Sequence, residues 1–147
     1  MNTIVPLISS GVAGRLGVIH LPRLWLKVSL ESRGKLAPGY PGAGTGFDQM
    51  VIDGLGLKRE AVIQFIKTNR PTYPQFEAWI RKQPGVKLDK ASISALNRSI
   101  AGYHHDQQTR KSILQANGIA DDAAAPKDAV NLNNLDDWKE FYEAELK

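Results

Sequence analysis

The chain has no cysteine among its 147 residues. Disulfides, thiolate nucleophiles and cysteine metal sites are therefore excluded, and the absence is typical of a reducing compartment such as the cytoplasm. Histidine is scarce as well, with His20 isolated and His104 and His105 adjacent. Neighbouring residues on a helix point about 100° apart, so the adjacent pair is poorly placed to hold one metal ion. We predict no metal and no cofactor.

Long hydrophobic runs are also missing. The most apolar stretch, residues 4–19, is interrupted by Pro6, by glycines and by Arg15, and no Lys or Arg precedes it. A secretory signal needs a basic start and an unbroken apolar segment, and a membrane span needs about 20 apolar residues. We therefore expect residues 1–20 to form an N-terminal arm on the core of a soluble, cytoplasmic protein with no membrane partner.

The net charge of +4 conceals an asymmetry along the chain. Residues 1–120 hold 16 Lys/Arg against 7 Asp/Glu, whereas residues 121–147 hold 3 against 8. A basic body attracts anionic partners, but an acidic tail folded back on that body neutralises it. The cations are spread over several predicted helices without a basic stripe, so nucleic acid is not an expected partner.

Glycine and proline are concentrated in residues 34–46, GKLAPGYPGAGTG, which contain five glycines and two prolines. Such a run cannot form a regular helix, since glycine is conformationally permissive and proline removes a backbone donor. Both flanks are predicted to be helical. We expect a shaped loop of the kind that commonly carries binding or catalytic residues.

Apolar residues recur at helical spacing through most of the chain, and no strand pattern of convincing length is present. The prediction is an all-α protein, a single domain over residues 1–147 with six or seven short helices and its C-terminal helix packed back on the body. We expect helices over 21–32, over 47–53 with Thr45 as its cap, and over 58–68. Others are capped by Thr72 and Asp89, and one or two run through residue 115. We place a loop or linker at 120–131 and the C-terminal helix at 132–147. Asn134 is its expected cap, and Asp136 and Asp137 lie in its first turn, where acids suit the positive end of the helix dipole.

Most aromatic residues lie within apolar stripes, which predicts that they pack in the core. These residues are Trp25, Tyr73, Phe76, Trp79 and Trp138. The C-terminal helix should likewise dock an aromatic face that includes Trp138, Phe141 and Tyr142. Tyr40, between a glycine and a proline, is the exception, and either rims a pocket or anchors the loop.

The glycine-rich loop is the leading candidate for a binding site, because backbone amides before a helix attract anions. Its glycines fit neither the G-x-G-x-x-G fingerprint nor a phosphate loop ending in G-K-[ST]. A plain connection between helices is therefore the alternative. The candidate ligand-binding residues are Arg23, Lys27, Tyr40, Gly44, Gly46, Phe47 and Asp48.

An enzyme is the second hypothesis. Asp48 or Asp53 would work with His104 or His105 as an acid–base pair in a hydrolase or lyase. The alternative is that Asp48 only stabilises a helix N-terminus, Asp53 is a solvated helix end and the histidines mark a helix junction. A Ser-His-Asp arrangement stays open, since serines are plentiful and no nucleophile-elbow motif selects one.

Five segments, taken together, resemble a bacterial family catalogued only as a domain of unknown function. They are LPRLWLKV (21–28), GKLAPGYPG (34–42), GFDQMVIDGLG (46–56), PTYPQFEAWI (71–80) and NLNNLDDW (131–138). The resemblance implies a small, self-contained bacterial protein. It transfers no catalytic residue and no ligand.

Three functional hypotheses follow. The first is a binding module for a small anionic molecule at residues 39–48, and the second is the hydrolase or lyase described above. The third is a structural or protein-interaction domain that uses the acidic tail as its contact surface, with self-association left open.

Overall fold

Seven α-helices form the framework of residues 2–147, the part of the chain that this computed structural model describes. They are α1 (Leu21–Ser32), α2 (Phe47–Leu55), α3 (Arg59–Asn69), α4 (Tyr73–Arg81), α5 (Lys90–Ala101), α6 (Gln107–Ala116) and α7 (Ala129–Glu145). Within that range there is no sheet, and the only strand-like pairings are two isolated bridges, Ala13–Ile19 inside the N-terminal arm and Ile4–Leu36 between the arm and the segment after α1. The all-α prediction is confirmed. None of the helices among these residues has the length and apolarity needed to cross a membrane.

Local capping signals explain most helix starts. Pro22 lies in the first turn of α1, where its missing N–H costs nothing. Thr72 and Gln75 form the expected capping box of α4, and Asp89 caps α5 by accepting from the Ser92 amide. These starts agree with the sequence prediction.

The segment between Ala101 and Gln107 separates two helices, which the sequence left open. Asp106 is the N-cap of α6, since its carboxylate accepts a hydrogen bond from the Thr109 amide at 2.7 Å. A capping residue has non-helical backbone angles, so α5 and α6 are not one bent helix.

Two predicted caps are wrong. Thr45 does not cap α2, whose N-cap is Gly46 with no side-chain bond. Asn134 lies inside α7, which begins at Ala129 because Asp128 accepts from the Asn131 amide at 3.0 Å. The predicted boundaries, a loop over 120–131 and a helix over 132–147, therefore place the start of α7 too late. Asp128 is not recognisable as a cap from the sequence, because the small, polar residues around it are typical of a loop.

The hydrophobic core lies mainly among α1 to α5, around fully buried residues such as Leu24, Ile52 and Phe76. A second, smaller cluster joins α6 and α7 through Leu114, Leu132 and their neighbours. Helix α7 contacts both α6 and α5, so the C-terminal helix packs back on the body as predicted.

Two of the three aromatic residues of α7 that were predicted to dock do not, whereas Phe141 is half-buried. Trp138 is 60% exposed and Tyr142 is 51% exposed, while Leu132 and Asp137 are buried. Successive helical residues differ by about 100° in direction. Because Asp137 faces inward to an arginine of α1, its neighbour Trp138 is turned toward solvent. Phe76 is buried, and Trp25, Tyr73 and Trp79 pack against the core as expected.

Candidate functional site

One pocket of about 800 Å³ lies where the N-terminal half of the chain meets α7. Its walls come from α1, the loop before α2, the first turn of α2, the segment between α5 and α6, and α7. The pocket thus combines residues from three parts of the chain that are distant in sequence, within 10–50, 103–105 and 133–140. The lining residues are Ser10, His20, Arg23, Lys27, Pro38, Gly39, Tyr40, Pro41, Gly44, Thr45, Gly46, Phe47, Asp48, Met50, Tyr103, His105, Asn133, Asp136, Asp137 and Glu140.

Asp48 is the centre of the polar network in this pocket. It lies in the first turn of α2 and is only 2% exposed. One carboxylate oxygen accepts from Lys27 Nζ at 2.5 Å and from the Gly44 amide at 2.7 Å, and the other is bonded to His20 Nε2 at 2.6 Å. Three donors therefore hold this carboxylate, and each comes from a different part of the chain.

The network keeps Asp48 ionised. Burial alone would raise the pKa of a carboxyl, but the hydrogen bonds from His20 and Lys27 and the charge of Lys27 outweigh it. Together they lower the pKa of Asp48 to about 2. Asp48 is therefore an acceptor only, and it fixes the orientation of both partners.

His20 connects Asp48 to Ser10. Its Nδ1 lies 2.9 Å from Ser10 Oγ, and both residues are 2% exposed. Burial lowers the pKa of His20 below 6.5, against the opposing effect of Asp48, so the ring is neutral at pH 7. An ionised carboxylate can only accept, which makes Nε2 the protonated nitrogen and leaves Nδ1 to accept from the serine hydroxyl.

The backbone at His20 is strained. Its φ of 69° lies in the left-handed region, which non-glycine residues rarely occupy. His20 is also the N-cap residue of α1, yet its side chain makes no capping bond. Such strain persists only where the surrounding structure enforces it, and it is concentrated at functional sites.

A second buried ion pair closes the pocket against α7. Both terminal nitrogens of Arg23 donate to Asp137, at 2.7 and 3.1 Å. Nη1 of Arg23 also donates to the Pro6 and Ile8 carbonyls. The hydroxyl of Tyr40 donates to Asp137 at 3.1 Å, and the Arg23 guanidinium lies 5.9 Å from the centre of the Tyr40 ring. Tyr40 thus both lines the pocket and anchors the loop.

The glycine-rich loop is held from the outside as well. Arg59 donates to the Gly44 carbonyl at 2.9 Å and to the Ala43 carbonyl, and Glu31 accepts from the Gly42 amide at 3.1 Å. A side chain at Gly42 would collide with the Glu31 carboxylate. The loop is therefore a shaped, hydrogen-bonded wall.

Two carboxylates on α7 lack a cationic partner. Among residues 2–147, neither Asp136 nor Glu140 forms a salt bridge. Partial burial and the negative charges of Asp137 and Glu140 raise the pKa of Asp136. This wall of the pocket is thus electrostatically negative.

All seven residues predicted to bind a ligand line this one pocket, as does His105, which bonds to Asn133 at 2.8 Å. His104 and Asp53 do not. His104 borders a separate polar cleft beside Arg110, and Asp53 is exposed and accepts from Gln49. An acid–base pair of Asp53 and His104 is therefore not assembled in the pocket, and the histidine bonded to Asp48 is His20.

Several residues of the site were not among the sequence candidates. They include Ser10, His20, Tyr103, Asp136, Asp137 and Glu140. His20 and Asp48 are 28 positions apart, and the arm that carries Ser10 has no periodicity from which its course could be inferred. The sequence predicts Asp137 in the first turn of the C-terminal helix, whereas α7 begins at Ala129 and Asp137 lies further along it, facing Arg23. The one available signal was an isolated histidine directly before a helix that begins with Leu-Pro.

No family model and no curated protein matches this chain. The resemblance to a bacterial family of unknown function therefore stays a prediction. Among residues 2–147, no group of three or more His, Cys, Asp or Glu side chains is arranged to hold a metal ion.

Proposed function

We propose that this protein is a small-molecule binding module whose site is the pocket between α1, the glycine-rich loop and α7, and that its ligand is a small organic cation. The observation that carries the proposal is the distribution of charge. Four carboxylates line the pocket against one arginine and one lysine, beside two histidines.

Both cationic side chains are already neutralised. Lys27 is buried against Asp48, and Arg23 is buried in a two-bond pair with Asp137. A buried pair would lose much of its mutual attraction if an external anion replaced one partner. The sequence prediction of an anionic ligand required Arg23 and Lys27 to be free. Because both are paired with carboxylates, the charges that line the pocket favour a cationic ligand.

The remaining lining suits an ammonium or guanidinium group. Asp136 and Glu140 offer unpaired carboxylates, and Tyr40, Phe47 and Tyr103 offer aromatic rings. Aromatic faces attract cations, by about 0.5–2 kcal/mol for each well-placed ring. A cation near Asp136 would also relieve the repulsion among the three carboxylates of α7.

A thermal-shift screen tests this proposal. Primary amines, quaternary ammonium compounds and guanidines are compared with phosphates and carboxylates at equal ionic strength. A ligand at about 100 times its Kd adds about 2.7 kcal/mol of stability, which for a protein of this size raises Tm by roughly 5 °C or more. We expect shifts with cations. Shifts confined to anions would reverse the proposed charge, and the absence of any shift would contradict ligand binding.

Matched variants locate the site. Glu140→Gln should weaken the binding of an amine by about two- to fivefold, since the lost carboxylate is exposed. Glu145→Gln, at the exposed end of the same helix, serves as the control. Equal affinity in both variants would show that the ligand binds elsewhere.

The cytoplasmic location and the third hypothesis, an interaction domain, stay predictions. Trp138 and Tyr142 are the exposed aromatic residues on α7. They are the positions to replace when self-association is measured by sedimentation.

A further inference from the structure

We propose that Ser10, His20 and Asp48 form a nucleophilic triad, and that the pocket hydrolyses small carboxylic esters. Ser10 Oγ lies 2.9 Å from His20 Nδ1, and His20 Nε2 lies 2.6 Å from Asp48. A serine, a base and a carboxylate that orients the base are thus joined in one line of hydrogen bonds. Neither motif nor spacing in the chain reveals this arrangement.

The protons of the Ser10–His20–Asp48 hydrogen bonds are placed as nucleophilic attack by Ser10 requires. Asp48 is held by Lys27 and Gly44 as well as by His20, which keeps it fixed behind the imidazole. The imidazole donates from Nε2, and Nδ1 is left to receive the Ser10 proton. The two ring nitrogens have exchanged the roles that they play in serine proteases, but either nitrogen can act as the base.

Access to Ser10 is through the pocket. Ser10 and His20 both line it, although each is nearly buried. A substrate, and later the water that attacks the acyl-serine, must therefore enter the cavity to reach the hydroxyl and the base. The first turn of α2, whose N-cap makes no side-chain bond, also borders the pocket at Gly46, Phe47 and Asp48. Uncapped helix amides are suited to an oxyanion.

The reaction proceeds in two steps, acylation of Ser10 and hydrolysis of the acyl-serine. Ser10 Oγ attacks the ester carbonyl while its proton moves to His20 Nδ1, and the carbon–oxygen bond to the alcohol then breaks as that proton is delivered to the leaving oxygen. Water next attacks the acyl-serine and gives a proton to Nδ1. That proton returns to Ser10 Oγ as the carboxylic acid leaves.

The substrate class rests on the proposed function. If the pocket binds organic cations, its substrate is an ester that carries an ammonium group near the carboxylates of α7. The matched probes are 2-(trimethylammonio)ethyl acetate and its uncharged isostere, 3,3-dimethylbutyl acetate. We expect the charged ester to be hydrolysed about tenfold faster, the equivalent of one partly exposed charge contact.

An uncharged fluorophosphonate tests the serine independently of ligand charge. Activated serine hydroxyls displace fluoride from this probe, and mass spectrometry locates the adduct. We expect a single adduct at Ser10, its loss in Ser10→Ala, and labelling at least about 100-fold slower in His20→Asn. Asparagine tolerates the left-handed backbone at position 20. Ser9→Ala is the control, because the Ser9 hydroxyl only accepts from the Gly11 amide.

The absence of cysteine provides a second measurement that does not depend on turnover. In the Ser10→Cys variant the new thiol is unique, and the neighbouring imidazole should shift the pH profile of its alkylation below the ordinary thiol pKa of about 8.5. Ser9→Cys should show the ordinary profile.

The outcomes separate the two proposals. If the fluorophosphonate leaves Ser10 unmodified and the two cysteine variants titrate alike, the triad is refuted, while stabilisation by amines would leave the binding proposal intact. Labelling at Ser10 with equal hydrolysis of both esters would support the triad and contradict the cation site.

Discussion

The Asp48 carboxylate ties three parts of the pocket together. It fixes a side chain of α1, the residue before α1 and the glycine-rich loop at once. A buried carboxylate with three donors cannot shift without cost, because a donor is left unsatisfied wherever the carboxylate moves away from it. The position of Ser10 relative to the loop therefore depends on one side chain.

We predict that Asp48→Asn lowers the free energy of unfolding by about 3 kcal/mol or more. The variant leaves the Lys27 ammonium buried without its countercharge, and breaking a buried pair from one side typically costs about 3–5 kcal/mol. Urea unfolding measures the effect. Asp53→Asn, an exposed acid on the same helix, should change stability by less than about 0.5 kcal/mol.

A double variant decides whether the loss comes from the stranded charge. Lys27→Met removes the ammonium, so Asp48→Asn should cost less in that background than alone. An equal cost in both backgrounds would mean that Lys27 and Asp48 are not energetically coupled.

Two close contacts hold together helices that are distant in sequence. The Arg23–Asp137 pair links α1 to α7 across 114 positions. The other contact lies between α2 and α5, where a side chain at Gly54 would come within 2.7 Å of a Leu96 methyl group. The first contact is polar and the second is steric, so different substitutions test them.

We predict that Asp137→Asn loosens α7 more than the rest of the molecule. The neutral amide leaves the buried Arg23 without a countercharge, and α7 is otherwise packed mainly on α6 and α5. Hydrogen exchange should show the largest loss of protection in α7 and α6. Asp136→Asn is the matched control and should leave protection equal or higher, because it removes one of the repelling charges. Uniform loss across all helices would contradict the prediction.

We predict that Gly54→Ala destabilises the protein by about 1–3 kcal/mol through overpacking. Leu96 is buried and cannot swing away without disturbing the core. In a Leu96→Ala background the same substitution should cost less, because the colliding methyl groups are gone. Thermal or urea unfolding of the four proteins tests this, and additive costs would show that the two helices do not meet as described.

The elements that local signals determine were predictable from the sequence, and the site was predictable only in part. Helix α1 and the caps Thr72 and Asp89 follow from residues a few positions apart, so their signals survive in the sequence. The bonds of Asp48 to His20 and of Arg23 to Asp137 depend on how distant segments pack. The predicted ligand residues share one pocket because they flank a single loop, whereas Ser10 and Asp137 reach it through tertiary structure.

Asp48 and His20, two buried groups of the same network, both make the protein less stable as the pH falls. The pKa of Asp48 is lowered from 3.8 to about 2, so the stability that it contributes is present above pH 3.8 and is lost as the pH falls toward 2. It amounts to about 2 kcal/mol. The raised pKa of Asp136 opposes this near pH 4, since that group favours the folded state when protonated.

His20 lowers the free energy of unfolding at a milder pH than Asp48 does, and this loss of stability is the easier of the two to measure. Its pKa in the folded state lies below 6.5 because of burial, with Lys27 and Arg23 adding to the shift and Asp48 opposing it. Between the two values the unfolded chain binds more protons, so stability falls as the pH drops below 6.5. We predict that the free energy of unfolding decreases between pH 7 and pH 5, by at most about 1.4 kcal/mol per pH unit from this one group.

The His20→Asn variant should be less stable than the wild type at pH 7 and should have a flatter pH dependence, because the group that takes up the proton is gone. His104→Asn is the control, since His104 is exposed and outside the pocket, and it should keep the wild-type slope. Urea unfolding at pH 7, 6 and 5 measures all three proteins. If His20→Asn kept the wild-type dependence of unfolding free energy on pH, His20 would not be neutral in the folded protein. The neutral tautomer that accepts the Ser10 proton would then be contradicted.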